Sequence, residues 1–186
     1  MISTLIKTQT ASGSAYLDFI DGTSDVVFDN TYDEYMFVCT DIGPATDGEM
    51  FCFQVNATDD AGGDYDSSPI TSTFFNAQHD EADSNTDLAV WAASDLAQGT
   101  AFQHLTRNVG NGSDECCSGY FRLFNPASTT FSKQFMSRVN HYHKDNIADS
   151  IFAAGYISTT SAVDAIQFSF ASGEIQAGTI GMFGVQ

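Results

Sequence analysis

The sequence predicts an all-β protein: an antiparallel β-sandwich of jelly-roll type, with about eight to ten strands, in a single domain covering residues 1–186. Three observations carry that expectation. Sixteen Phe and seven Tyr stand against only six Lys and Arg, a profile of pleated strands rather than of amphipathic helices. Short apolar runs alternate with a period of two. Clusters of Gly, Asp, Asn, Ser and Pro separate those runs at the spacing of a sandwich.

Residues 3–8 and 14–20 read as two opening strands around Ala11-Ser12-Gly13. After the Asp21-Gly22 turn come 35–40 and 50–55, which place Tyr35, Phe37 and Cys39 on one face, and Phe51, Phe53 and Val55 on another. Their connection, DIGPATDGE, reads as the long loop of a hairpin. Residues 57–70 are acids and turn formers, hence a surface loop. The stretch 76–100 has no clear period; within it, 87–96 fits either a short helix or an edge strand, anchored by Trp91.

Strand character returns at 101–107, and NVGNGSDE follows as a second polar loop. Next come 119–124, the Asn125-Pro126 turn and the run 131–143. Alternation in that run sets Phe131, Lys133, Phe135, Ser137, Val139, His141 and His143 on one face. Residues 151–158 add a strand. The closing runs 166–170 and 179–183 flank Ser172-Gly173-Glu174 and are expected to form a C-terminal hairpin in the core, with Ile166, Phe168 and Phe170 on one face.

Twenty-four acidic residues against six basic ones give a formal charge of −18. Binding to phosphates depends on Lys and Arg displacing counterions, so neither nucleic acid nor an anionic membrane is an expected partner. The N-terminus lacks a basic segment followed by a long apolar one, and no run approaches a membrane span, so a soluble chain without a classical export signal is expected. Asn56-Ala57-Thr58 and Asn111-Gly112-Ser113 match the glycosylation pattern, which has no consequence without export.

Candidate chemistry is sparse. His141 and His143 share a strand face and can contribute two ligands to a metal; exposed histidines at a strand end are the alternative. Asp59, Asp60, Asp64 and Asp66 form an acidic, Gly-containing loop whose spacing is not that of an EF-hand, so a solvated loop is the expectation. His79-Asp80-Glu81-Ala82-Asp83 is read the same way. Cys39 and Cys52 fit small buried hydrophobes, conceivable as neighbours on paired strands. The vicinal pair Cys116-Cys117 points to opposite faces and matches no zinc or redox spacing. No GxSxG, P-loop, GxGxxG or HExxH occurs. No catalytic, cofactor or metal residue is therefore assigned, and an enzyme is not expected.

Two segments carry a resemblance. Tyr32, Asp33, Tyr35, Phe37, Ile42, Pro44, Ala45, Thr46, Asp47 and Gly48 lie early; Phe170, Ser172, Gly173, Ile175, Gly178, Thr179, Ile180, Phe183 and Gly184 lie at the end. In this the chain resembles virion-associated proteins of tailed phages of marine and aquatic bacteria, loosely described as structural, fibre or decoration proteins. The resemblance implies a jelly-roll sandwich displayed on a phage particle, with no catalytic residues and no cofactor. Within that class, the single-domain length, the lack of a coiled-coil stalk or N-terminal fibre anchor and the acidic surface lead to the expectation of a capsid decoration protein on the outer surface of the head, trimeric and seated on the major capsid protein or another virion protein. The alternative is a tail fibre or spike module that recognises a host glycan or surface protein through loops 57–70 and 108–118; a glycan depolymerase is a distant third.

Overall fold

The computed structural model describes residues 3–59, 65 and 68–186, which form thirteen strands and no helix. The first four strands are β1 (Ser3–Thr10), β2 (Leu17–Ile20), β3 (Glu34–Pro44) and β4 (Phe51–Ala57). Then come β5 (Ile70–Asp80), β6 (Thr86–Val90), β7 (Ala97–Gly99) and β8 (Gln103–His104). The remainder are β9 (Cys117–Phe124), β10 (Lys133–His143), β11 (Ile147–Ile157), β12 (Val163–Phe170) and β13 (Ile175–Val185).

All pairings are antiparallel. One sheet of nine strands runs β1-β13-β3-β9-β10-β11-β5-β6, with β7 also on β5, and a second sheet of four runs β2-β12-β4-β8. The strand count exceeds the eight to ten expected because β10, β11, β5, β6 and β7 prolong one sheet beyond the other. All-β antiparallel character and the two-sheet arrangement stand as expected.

Two pairs expected as hairpins are arches instead. β3 pairs with β13 and β9, whereas β4 pairs with β12 and β8, so the chain from 45 to 50 crosses from one sheet to the other. The closing strands behave likewise: β12 lies between β2 and β4, and β13 lies between β1 and β3. Both strands of each pair have a continuous apolar face. Placing those faces on opposite sheets buries them against each other, which a hairpin within one sheet does not do. It follows that Cys39 and Cys52 sit in different sheets rather than on paired strands.

Aromatic rings fill the space between the sheets. Phe53 lies 4.3 Å from Phe121 and 5.0 Å from Phe135 between ring centroids, Phe37 packs edge-on to Phe19 at 5.2 Å, and Phe51 stacks on Phe168 at 5.8 Å. Each fully buried Phe contributes about 2–3 kcal/mol of apolar burial. Ile166, Phe168 and Phe170 share the inward face of β12 as the alternation required.

The two segments of the resemblance, far apart in sequence, form one ladder. Residues of β13 pair with β3 from Ile175 opposite Pro44 to Val185 opposite Glu34. The contact is close: Gly178, at φ 113°, lies where a Cβ would meet the Asp41 carbonyl at 2.5 Å, and the Tyr32 ring occupies the space of a side chain on Gly184. These motif residues are a structural frame.

Candidate functional site

Where the nine-stranded sheet outruns its partner, the inner face changes character. On β10 the inward positions run Lys133, Phe135, Ser137, Val139, His141 and His143, all buried. Phe131, expected in that set, precedes the strand and is 69% exposed. The inward face of β11 includes Asp149, and that of β5 includes Asn76, also buried. Register joins His141 to Asp149 and Asp149 to Gln78, which makes a polar row across three strands.

Arg107, delivered by the segment between β8 and β9, closes this row. Its Nε lies 3.3 Å from Asp149 Oδ2, near enough for charge pairing, but the N–H is not aimed at that oxygen. Asn76 Nδ2 donates to Asp149 Oδ1 at 2.8 Å, and an Arg107 terminal nitrogen donates to Gln78 Oε1 at 3.2 Å. The other terminal nitrogen, both ring nitrogens of His141 and Asp149 Oδ2 have no aligned partner among the described residues. An unpaired buried polar atom costs about 1–3 kcal/mol, so this row is held at the expense of stability.

Burial sets the protonation states. Desolvation pushes His141 from 6.5 down to about 3, helped by the neighbouring His143 and by the Arg107 charge, with an Arg107 main-chain contact working the other way. His143 and His104 are also lowered by burial. Asp149 is raised by burial, with Asn76 and Arg107 opposing. The imidazoles are thus neutral near pH 7.

His141 and His143 were expected either as a ligand pair or as exposed residues. They are buried, with ring centroids 6.1 Å apart, and His143 Nε2 lies 3.2 Å from Asn108 Nδ2. Among the described residues no group of three or more His, Cys, Asp or Glu is arranged to hold a metal. In the Asp59–Asp66 loop, Asp59 is exposed, whereas Asp60, Asp64 and Asp66 lie outside the described residues. The acids around His79 are engaged in their own turn: Asp80 accepts from the Ser84 and Asn85 amides at 2.8 and 2.9 Å, and His79 meets Asp83 at 3.1 Å. All four cysteines are free. Cys117 is buried, while Cys116 is partly exposed with Sγ 3.9 Å from Asp41 Oδ1.

Trp91 stands at the mouth of the polar row. It follows the edge strand β6, which resolves the choice for 87–96 in favour of a strand up to Val90 and a turn beyond it. Indole Nε1 donates to Asn76 Oδ1 at 2.7 Å, and the Arg107 guanidinium covers the ring at 3.7 Å from its centroid. Sequence reasoning did not assign Arg107, Asp149, Asn76 or Gln78. One signal was present: Asp149 falls in phase with Ile151 and Ala153 on an otherwise apolar strand face.

The outward face of the same sheet is different again. One row reads Val38, Tyr120, Arg138, Phe152, Phe75 and Val90 across six strands. The next reads Leu5, Phe183, Met36, Arg122, Met136 and Ala154. Phe75 stacks on Phe152 at 4.9 Å, and Arg138 and Arg122 lie over Phe152 and Tyr120. Leu88 is 73% exposed and Met136 46%. Glu34 is the one carboxylate on those two rows and the residues flanking them in β3, and it pairs with Arg122 at 3.3 Å.

No family model matches the chain, and no curated protein or solved structure matches it.

Proposed function

We propose that the protein is a structural component of a bacteriophage particle, a capsid decoration protein on the outer surface of the head that associates with copies of itself and with the shell. In this reading, β1-β13-β3-β9 over β2-β12-β4-β8 is a jelly-roll body, and the five further strands are an addition that widens one face. The observation that carries the reading is that outward face. A chain of formal charge −18 places one carboxylate there, Glu34, and two of its six cations, among aromatic and aliphatic side chains. Eight strands about 4.8 Å apart and four or five outward residues deep give roughly 900 Å², the scale of one side of a specific protein interface. Tyr, Phe, Met and Arg are the residue types enriched in such interfaces. Support of a second kind comes from the β3–β13 ladder, which brings the two segments of the phage resemblance into contact.

Two measurements test the proposal. Light scattering of the purified protein is expected to give a mass near three times 20.0 kDa, and Met136→Glu with Val90→Asp is expected to return it toward 20.0 kDa with its circular dichroism unchanged. Quantitative mass spectrometry of purified particles is expected to find the chain at a copy number on the scale of the head. A copy number on the scale of a tail would transfer the proposal to a fibre or spike module. Absence from particles would remove both.

A further inference from the structure

The turn after β6 is fastened at every point. The Trp91 amide donates to the Phe74 carbonyl, the Ser94 amide to the Trp91 carbonyl at 2.9 Å, and Asp95 Oδ1 accepts from the Phe74 amide at 2.6 Å. Gln103 Nε2 donates to the Ser94 carbonyl at 3.0 Å, which ties the turn to β8. Trp91 itself is fixed through Nε1 and through the guanidinium on one side of its ring, yet 40% of it stays exposed. A large apolar ring is thus held rigid by two polar contacts while much of its surface faces solvent.

Beside it lies a cavity of about 200 Å³ lined by Met50, Trp91, Ser94, His104, Arg107 and Asn108. Ser94 Oγ and His104 Nδ1 are 3.1 Å apart, which leaves His104 Nε2 as a further hydrogen-bonding atom. The Asn108 amide contributes a donor and an acceptor. We infer that this cavity binds one neutral sugar ring, held against the exposed part of Trp91 and hydrogen-bonded through Ser94, His104 and Asn108. A pyranose has an apolar C–H face for the indole and a rim of hydroxyls that both donate and accept, which is what this lining offers. The size admits a single ring rather than the larger ligands that fill cavities of 300 Å³ and above.

Charge selects the neutral class. The Arg107 charge is balanced by the Asp149 carboxylate 3.3 Å away, and the overall field of the chain disfavours an anion. Pre-organisation favours affinity, because neither the ring nor the turn is ordered on binding. The inference goes beyond a structural role and does not depend on where in a particle the chain resides.

The sequence contains one Trp, so its fluorescence reads this site directly. Purified full-length protein is titrated with the methyl glycosides of glucose, galactose, mannose and N-acetylglucosamine, and with glucuronate as the anionic counterpart. A saturable change in Trp91 emission with at least one neutral glycoside in the millimolar range is expected, weakened about five- to tenfold by Ser94→Ala and by Asn108→Asp. Circular dichroism identifies a variant that has lost its fold, and the wild-type titration stands without either variant. No saturable change with any neutral glycoside would overturn the inference. So would a response to glucuronate alone, or binding that both folded variants leave untouched.

Discussion

Replacing His141 with Asn tests the polar row through its protons. In the native protein His141 sits near pKa about 3, against 6.5 for a free imidazole, so the folded state resists its protonation. The sign follows from linkage. Between those two values the unfolded chain binds a proton that the native one does not, so stability is fully present above pH 6.5 and is lost as pH falls toward 3. At about 1.36 kcal/mol per tenfold difference in proton affinity, the loss reaches about 2 kcal/mol by pH 5 and at most about 5 kcal/mol by pH 3. Asp149 works in the opposite sense. Its raised pKa lets the native state take up a proton before the unfolded chain does, which offsets part of the loss at the acid end. His104 and His143 are lowered as well and add to the loss in both proteins.

Urea unfolding at pH 7.5 and pH 5 isolates the His141 contribution. With a slope of about 2 kcal/mol per molar, the wild-type midpoint is expected to fall roughly 1 M further over that interval than the midpoint of His141→Asn. The variant starts from a different stability, but only the change between the two pH values is compared. Parallel changes in the two proteins would refute the placement of His141 as a neutral, desolvated ring beside Arg107.

Gly178→Ala is expected to cost about 3 kcal/mol, since φ of 113° disfavours a side chain and the added methyl meets the Asp41 carbonyl of the neighbouring strand. A thermal melt within about 1 °C of wild type would contradict that contact. Deletion of residues 176–186 removes nearly all of β13, with the buried Ile180 and Met182 and the ladders to β1 and β3. No cooperative unfolding transition is expected from the truncated chain, and a sharp one would show that β13 is dispensable.

The parts of the fold that follow the simplest rule were legible. Phe53, Val55, Phe168 and Phe170 alternate and face the core because both sheets cover them, and β10 declares its buried face from Lys133 to His143. Pairing was less legible, since local alternation is the same for a hairpin and for an arch; only long-range burial decides between them. β5 escaped notice for a different reason. Its inward side mixes Ile70 and Phe74 with Asn76 and Gln78, and its outward side mixes Thr71 and Thr73 with Phe75 and Ala77, so neither face is uniformly polar or apolar and the pattern loses its sense. Trp91 stood out as a lone aromatic, but nothing near it in sequence announced Arg107 or Asp149, which reach it only through the register of β11 and the course of the segment after β8.

That mixing of polar and apolar positions has one origin, the difference in width between the sheets. Four strands cover the inner side of β13, β3 and β9 with aromatic rings, but no strand of the smaller sheet pairs beyond β8 to continue the cover over β11 and β5. The inner side there keeps Ile157 and Ile70 in the main core and holds a small cluster of Phe74, Ile151 and Ala153, beside the polar row engaged by Arg107. The hydrogen-bond ladders of the extension add to that burial, and in the proposed assembly the outward side adds more where a partner covers Phe75, Phe152, Met136 and Val90. A β-extension with a polar row among its inner apolar residues and exposed aromatic side chains outside departs from the arrangement of an isolated domain. In the proposed assembly the outer face gains free energy from association, whereas the proposed sugar site lies on the inner side at Trp91. The two proposals therefore draw on opposite sides of the same strands, so occupying one would leave the other accessible.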